Sequence, residues 1–246
     1  MNASHAAQLR LLDLQSADTT LAQLAHRRAT LPEIAAIAEN EMAGAELGNE
    51  IVDAETALSD IADEQRRLEN EVDVVRTRAG RDDQRLQVGG LPSKELESLQ
   101  HEITSLARRQ GVLEDELLEV MEQREQSETS LAALRQRRDD LAAEHDRLAG
   151  VRDAAFTEID RDAALKTSER ALIGNDIPAD LLALYEKARE HSGGVGAAML
   201  RARRCEGCRI ELSGSELSAV RTAAPDEVVR CENCRRIMVR TDESGL

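Results

Sequence analysis

Between Arg85 and Leu96 the chain reads RLQVGGLPSKEL. Gly89 and Gly90 interrupt a helix, and Pro92 followed by Ser93 suits the start of another, with Ser93 as its N-cap. The flanking sequence decides what this break means. Downstream, Leu96, Leu99, Ile103, Leu106, Leu113, Leu117, Val120, Leu131, Leu134, Leu141, Leu148, Ala155 and Ile159 fit one heptad register as core positions. Gln110, Arg124, Ser127, Arg138 and His145 are polar residues in that register. Upstream, Leu47, Ile51, Ala54, Leu58, Ile61, Leu68, Val72, Val75 and Ala79 form a second run, interrupted by Gln65. Heptads sustained this long without proline predict coiled-coil helices, and polar core residues fix partner and register. His145 reads as such a register device. Two long amphipathic helices joined by a short break favour an antiparallel hairpin with its tip near residues 87–93. The alternative is two helices that each pair with a copy of the chain.

The first thirty residues carry Leu14, Ala17, Leu21, Leu24 and Leu31 at heptad spacing, and Pro32 then kinks or breaks the chain. The helix after Ser93 runs to about Leu172, some 80 residues or ~120 Å at 1.5 Å per residue. The helix after Pro32 covers only its first part, leaving the later part free to pair with residues 1–31. Gly174–Pro178 ends the long helix. A short helix over Ala179–Arg189 follows, with Leu181, Leu182 and Tyr185 on its apolar face, closed by Gly193 and Gly194. The predicted organisation is mainly α. A long kinked antiparallel coiled-coil hairpin spans 1–173, and 174–246 holds the short helix and a small C-terminal β ribbon domain.

Composition supports helices over an ordinary globule. Aromatic residues make up 1% of the chain, Phe156 and Tyr185 alone, and charged residues 33%. The formal net charge is -16, carried by residues 1–200, with 23 Lys and Arg against 40 Asp and Glu. Residues 201–246 hold 9 and 8. An acidic body repels phosphates at long range, so any nucleic-acid contact falls to the C-terminal part. The opening MNASHAAQLRLLDLQ lacks the basic region and apolar stretch of a signal peptide, and no apolar run approaches a membrane span. The expectation is a cytoplasmic protein without a membrane partner.

The chemistry sits in Cys205-Glu206-Gly207-Cys208 and Cys231-Glu232-Asn233-Cys234, separated by 22 residues. Two thiolates spaced this way in a tight turn can face one metal, and two such turns supply the tetrahedral set of a structural zinc site. All four cysteines are used. Val195–Arg203 and Glu227–Arg230 read as strands leading into the two turns, and Ile237–Arg240 as a strand leaving the second. So small a sheet needs metal to fold. Four cysteines close the coordination sphere, which disfavours catalytic zinc. An unmetallated redox pair is the other reading, but the βαβ pattern that accompanies it is missing.

Arg201, Arg203, Arg204 and Arg209 bracket the first turn, and Arg230, Arg235, Arg236 and Arg240 the second. The planar guanidinium donates bidentately to phosphate and carboxylate, so these residues are the candidate contact face for nucleic acid or a protein partner. Solubility and compensation of thiolate charge explain them equally well. Without aromatic platforms, nucleic-acid binding would run through phosphates and depend steeply on salt.

Three stretches carry a family resemblance. RCEGCRIELSGSEL (204–217) with APDEVVRCENCRRIMVR (224–240) resembles the ribbon of the bacterial C4-type zinc-ribbon coiled-coil hairpin proteins. RDDQRLQVGGLPSKELESLQHEI (81–103) resembles their hairpin tip, and IPADLLALYEK (177–187) is similar to the segment before the ribbon. The likeness is to the actinobacterial branch. It implies a kinked hairpin with the ribbon packed near its open end, no enzyme activity, and binding of nucleic acid or protein. The family often has Gly after the last cysteine, where this chain has Arg235.

The expected function is a non-enzymatic adaptor with one structural Zn2+, contacting RNA, DNA or a protein, as a monomer or coiled-coil dimer. The alternative is a purely structural or oligomeric coiled coil stapled by zinc. No nucleophile elbow, P-loop, dinucleotide fingerprint or HExxH motif supports an enzyme or a small-molecule substrate.

Overall fold

A computed structural model describes residues 1–246. The chain runs α1 (His5–Ala29), α2 (Pro32–Val88), α3 (Ser93–Asn175), α4 (Ala179–His191), β1 (Ala197–Arg201), β2 (Arg204–Cys205), α5 (Gly214–Thr222), β3 (Val229–Arg230), β4 (Ile237–Val239) and a 3-10 turn, Asp242–Ser244. By packing it divides into two compact units, Ala35–Leu148 and Met1–Ile34 with Ala149–Leu246. The expected boundary at 173/174 follows the end of the long helix at Gly174–Pro178. The packing division differs because α1 and the end of α3 share a core with the ribbon.

The first unit is the antiparallel hairpin. Leu47 and Ile51 bury against Leu131, and Leu68 and Val72 against Leu113, so numbers rising along α2 meet numbers falling along α3. Ion pairs along its flanks run the same way, from Glu55 to Arg135 (2.7 Å) and from Arg76 to Glu114 (3.1 Å). The core positions read from the heptads are buried or half-buried. Two of the polar interruptions meet across the seam, where Arg124 Nη1 donates to Gln65 Oε1 at 3.2 Å. A shift of one heptad would strand both, so the pair fixes register. His145 Nε2 lies 3.5 Å from Glu41 across the same seam. Arg138 instead leaves the seam, exposed and paired with Asp139.

At the tip, Gly89 (φ 71°) and Gly90 (φ 83°) take the left-handed conformation that ends α2. Ser93 is not the N-cap expected from sequence. Leu96 N–H donates to Pro92 O at 3.1 Å, which makes Ser93 the first helical residue and Pro92 the cap. The α2 register continues past Ala79 to Asp82, a carboxylate at a core position that is 8% exposed. Its Oδ2 has no hydrogen-bond partner.

In the second unit Pro32 opens α2 after a break at Thr30 and Leu31, the position where its missing N–H costs least. Helix α1 pairs with the later part of α3 and the turn after it, as Arg28–Asp160 (2.9 Å) and Arg10–Asp176 (2.8 Å) show. One core gathers Ala7, Leu11, Leu14 and Ala17 of α1, Ile173 and Ile177, Leu181 and Tyr185 of α4, and Ala197, Ile237 and Val239 of the sheet. A polar network runs through it. Tyr185 donates its hydroxyl to Asp18 (2.6 Å), and Arg170 donates to the same carboxylate (2.5 Å). Gln15 Oε1 accepts from Gly196 N–H at 2.7 Å and ties α1 to the start of β1. Burial first, and then the hydrogen bond to Asp18, push the Tyr185 hydroxyl far above its ordinary range, so it stays a donor. Gly196 leaves no room for a side chain, since a Cβ there would lie 2.6 Å from Tyr185 O.

The sheet has the order β2-β1-β4-β3, with β1 parallel to β4 and the other pairs antiparallel. Strand β1 is shorter than the expected Val195–Arg203. Ala202 (φ 45°) and Arg203 (φ 64°) form a two-residue reversal, so Leu200 pairs with Cys205 and Arg201 with Arg204. Strand β3 begins at Val229, because the Val228 N–H donates to Met1 O (3.1 Å) instead. Helix α5 lies outside the elements expected from sequence. Its signature is Ser213 with Glu216, a capping box in which Glu216 accepts from Ser213 N–H at 2.7 Å.

Two substitutions test this account. Asp82→Leu removes an unpartnered buried carboxylate from an apolar seam and is expected to stabilise the hairpin by about 1–3 kcal/mol, read as a higher midpoint of urea unfolding. Tyr185→Phe deletes one donor to a buried carboxylate and is expected to cost about 2 kcal/mol in the same assay.

Candidate metal centre

Each cysteine pair sits in the same backbone knuckle. In the first, Cys205 N–H donates to Ile210 O (3.0 Å) and Cys205 O accepts from Arg209 N–H (2.7 Å). In the second, Cys231 N–H donates to Arg236 O (2.9 Å) and Cys231 O accepts from Arg235 N–H (2.9 Å). The bonds make each turn tight enough to aim both sulfurs inward. They also force the residue after the second cysteine to positive φ, Arg209 at 59° and Arg235 at 64°. A glycine would meet that demand freely, and an arginine does so at roughly 1 kcal/mol of strain. The departure at Arg235 therefore leaves the knuckle geometry intact, and Arg209 makes the same accommodation.

The four Sγ atoms all lie within 4.8 Å of one another. Across the knuckles Cys205 and Cys234 are 3.9 Å apart and Cys208 and Cys231 3.8 Å. A tetrahedron of sulfurs at a zinc–sulfur distance of about 2.3 Å has edges of roughly 3.8 Å, so the set fits zinc. Cys205 and Cys231 are buried, and Cys208 and Cys234 half-buried. Leu200, Leu212, Val220 and Met238 pack around them. Burial pushes the Cys205 thiol up to about 12 and raises that of Cys231 as well. Burial acts on Cys234 in the same sense, but it is outweighed by hydrogen bonds from the backbone and side chain of Arg236 and from Cys231 and Cys208. The net result is about 7. Metal binding must therefore displace protons, and it weakens as pH falls. When bound, zinc supplies cross-linking and no open coordination position.

The arginines predicted as one contact face divide into two groups. Arg236 and Arg240 are half-buried and spent on backbone carbonyls. Arg236 reaches Val195, Gly207 and Ser192, and Arg240 reaches Ala223 (2.8 Å), Ala224 (2.6 Å) and Glu227 (2.8 Å) among others. Arg201 pairs with Glu243 (2.8 Å), Arg203 donates to Gly245 O (3.1 Å), and Arg230 donates to Arg235 O (3.0 Å). Only Arg204, Arg209 and Arg235 of the eight are exposed with no intramolecular side-chain partner. Sequence reasoning missed Gly207, where a Cβ would lie 2.5 Å from Arg236 Cδ. Its place inside CEGC was the only signal.

Paired cysteine knuckles on a small sheet, together with an antiparallel heptad hairpin, define a zinc-ribbon coiled-coil protein. Residues 14–193 match the CT398-like coiled coil hairpin domain and residues 204–238 the C4-type zinc ribbon domain, and the chain belongs to this family. It binds one structural zinc ion through Cys205, Cys208, Cys231 and Cys234. The uncharacterized protein Rv2229c of Mycobacterium tuberculosis is 39% identical over 246 residues, covering 98% of each chain. A solved structure from Mycobacterium smegmatis is 36% identical with a TM-score of 0.87, covering 98% of this chain and 100% of that one. The structure of CT398 from Chlamydia trachomatis shares the fold at 18% identity and a TM-score of 0.71, covering 96% and 98%.

Removing the metal tests the site. Cys205→Ser is expected to abolish the one equivalent of zinc and unfold the ribbon while the hairpin, whose seam contains no ribbon residue, keeps its helical circular dichroism. In the unaltered chain, zinc content measured after dialysis should fall as the pH is lowered, because protons compete with the metal for the four thiolates.

Proposed function

We propose that this chain is a non-enzymatic cytoplasmic adaptor whose zinc ribbon contacts the phosphates of RNA or DNA. The observation that carries this reading is the division among the arginines. Arg204, Arg209 and Arg235 flank the two knuckles, exposed and unpaired, in a chain where many other arginines are tied to carboxylates or carbonyls. Arg209 and Arg235 occupy equivalent positions, each directly after the second cysteine of its knuckle, so the metal holds both on the same kind of turn. A non-enzymatic role is supported by the cysteine set, which leaves the metal no position for water or substrate. No helix is long and apolar enough to cross a membrane. A seam closed within one chain supports a monomer.

Three phosphate contacts carry a distinct salt signature. The slope of log K against log salt is expected to be about −2 to −3 for the full chain, with little preference among base sequences. The combined change Arg204→Ala, Arg209→Ala and Arg235→Ala should bring the slope near zero and remove binding at low salt, while zinc content stays at one per chain. Absence of binding by the unaltered chain to both RNA and DNA at low salt would overturn the nucleic-acid reading and leave a protein partner as the ribbon's contact.

A further inference from the structure

Arg236 is the second residue after the last cysteine, yet its side chain crosses to the first knuckle. Nη1 donates to Gly207 O at 3.1 Å, inside the first cysteine turn. Nε donates to Val195 O at 3.0 Å, ahead of β1, and Nη2 to Ser192 O at 2.5 Å, at the end of α4. The Arg236 carbonyl meanwhile accepts from Cys231 N–H at 2.9 Å and closes the second knuckle. One residue therefore links both knuckles and the segment leading from α4 to the sheet. The approach is close, because Gly207 has no room for even a methyl group against Arg236 Cδ. Ser192, which receives the guanidinium, also donates its own hydroxyl to Cys234 O at 3.3 Å. Four thiolates around one zinc carry a formal charge of roughly −2, and Arg236 places a fixed cation beside them.

We infer that Arg236 is a positioning residue for the zinc site, a side-chain bridge that holds the two cysteine knuckles at metal-binding separation and sets how slowly the metal leaves. One route by which a metal leaves a four-cysteine site is for one knuckle to swing off. The bridge opposes that motion independently of the metal–sulfur bonds. Groups that orient metal ligands in this way typically change metal affinity 10- to 100-fold when removed. Lysine substitutes only in part, because one ammonium does not reach all three carbonyls that the guanidinium fork reaches.

Arg240 provides the control. It too is half-buried and donates to several carbonyls, but those belong to α5 and the loop after it, and none lies in a cysteine knuckle. The experiment follows zinc release from the full chain into excess 4-(2-pyridylazo)resorcinol, alongside thermal unfolding. Arg236→Gln is expected to release zinc at least about 10-fold faster than the unaltered chain. Arg236→Lys should fall between the two, and Gly207→Ala, which displaces the same side chain from the opposite knuckle, should also accelerate release. Arg240→Gln should lower the unfolding midpoint with release within about twofold of the unaltered rate. Should Arg236→Gln fail to fold, Arg236→Lys decides. The inference is overturned if the Arg236 variants release zinc at the unaltered rate, or if Arg240→Gln accelerates release as much as they do.

Discussion

The ribbon depends on bringing four sulfur atoms, drawn from turns 22 residues apart, to within 4.8 Å of one another. The strands are two to five residues long, and the core around the sulfurs is a handful of aliphatic side chains. A sheet of that size does not bury enough apolar area to offset its conformational entropy, so metal–thiolate bonding supplies the difference. The strained turns follow from the same demand. Arg209 and Arg235 accept the left-handed conformation because the knuckle bonds that aim the sulfurs leave no other φ.

The second constraint is the sharing of one core by distant parts of the sequence. Leu11 and Leu14 of α1, Tyr185 of α4 and Ile237 of β4 are all fully buried together. With so few aromatics, Tyr185 fills a volume that no other side chain near it could. Its hydroxyl must then be satisfied, and Asp18 and Arg170 complete the arrangement. A buried ion pair of this kind contributes little net stability but specifies one arrangement of α1, α3 and α4. The hairpin uses a weaker version of the same device at Gln65 and Arg124.

The heptads made the hairpin legible, because a 3.5-residue period leaves a mark at every turn of a long helix. Leu68, Leu99, Leu113, Leu131 and Ile159 were assigned to the core from spacing alone and are buried. The four cysteines were legible for a similar reason, since zinc imposes both residue type and spacing. Short elements leave weaker marks. The reversal at Ala202 and Arg203 was missed because neither residue is one that usually takes positive φ. Helix α5 had its signal in Ser213 and Glu216. The arginines were legible as charges but not as partners. Whether a guanidinium faces solvent or a carbonyl depends on contacts such as Gly207 and Arg236, which no local pattern encodes.

One consequence follows from the docking of α1 on the ribbon. Gln15 waits for Gly196, 181 residues later in the chain. At bacterial synthesis rates of roughly 5–20 residues per second, α1 emerges from the ribosome some 10–40 s before the surface that covers it exists. During that interval the Leu11 and Leu14 face is bare. The nascent polypeptide is then open to chaperone capture and to aggregation with its neighbours on a polysome, a hazard that ends only when translation reaches the ribbon and zinc is at hand.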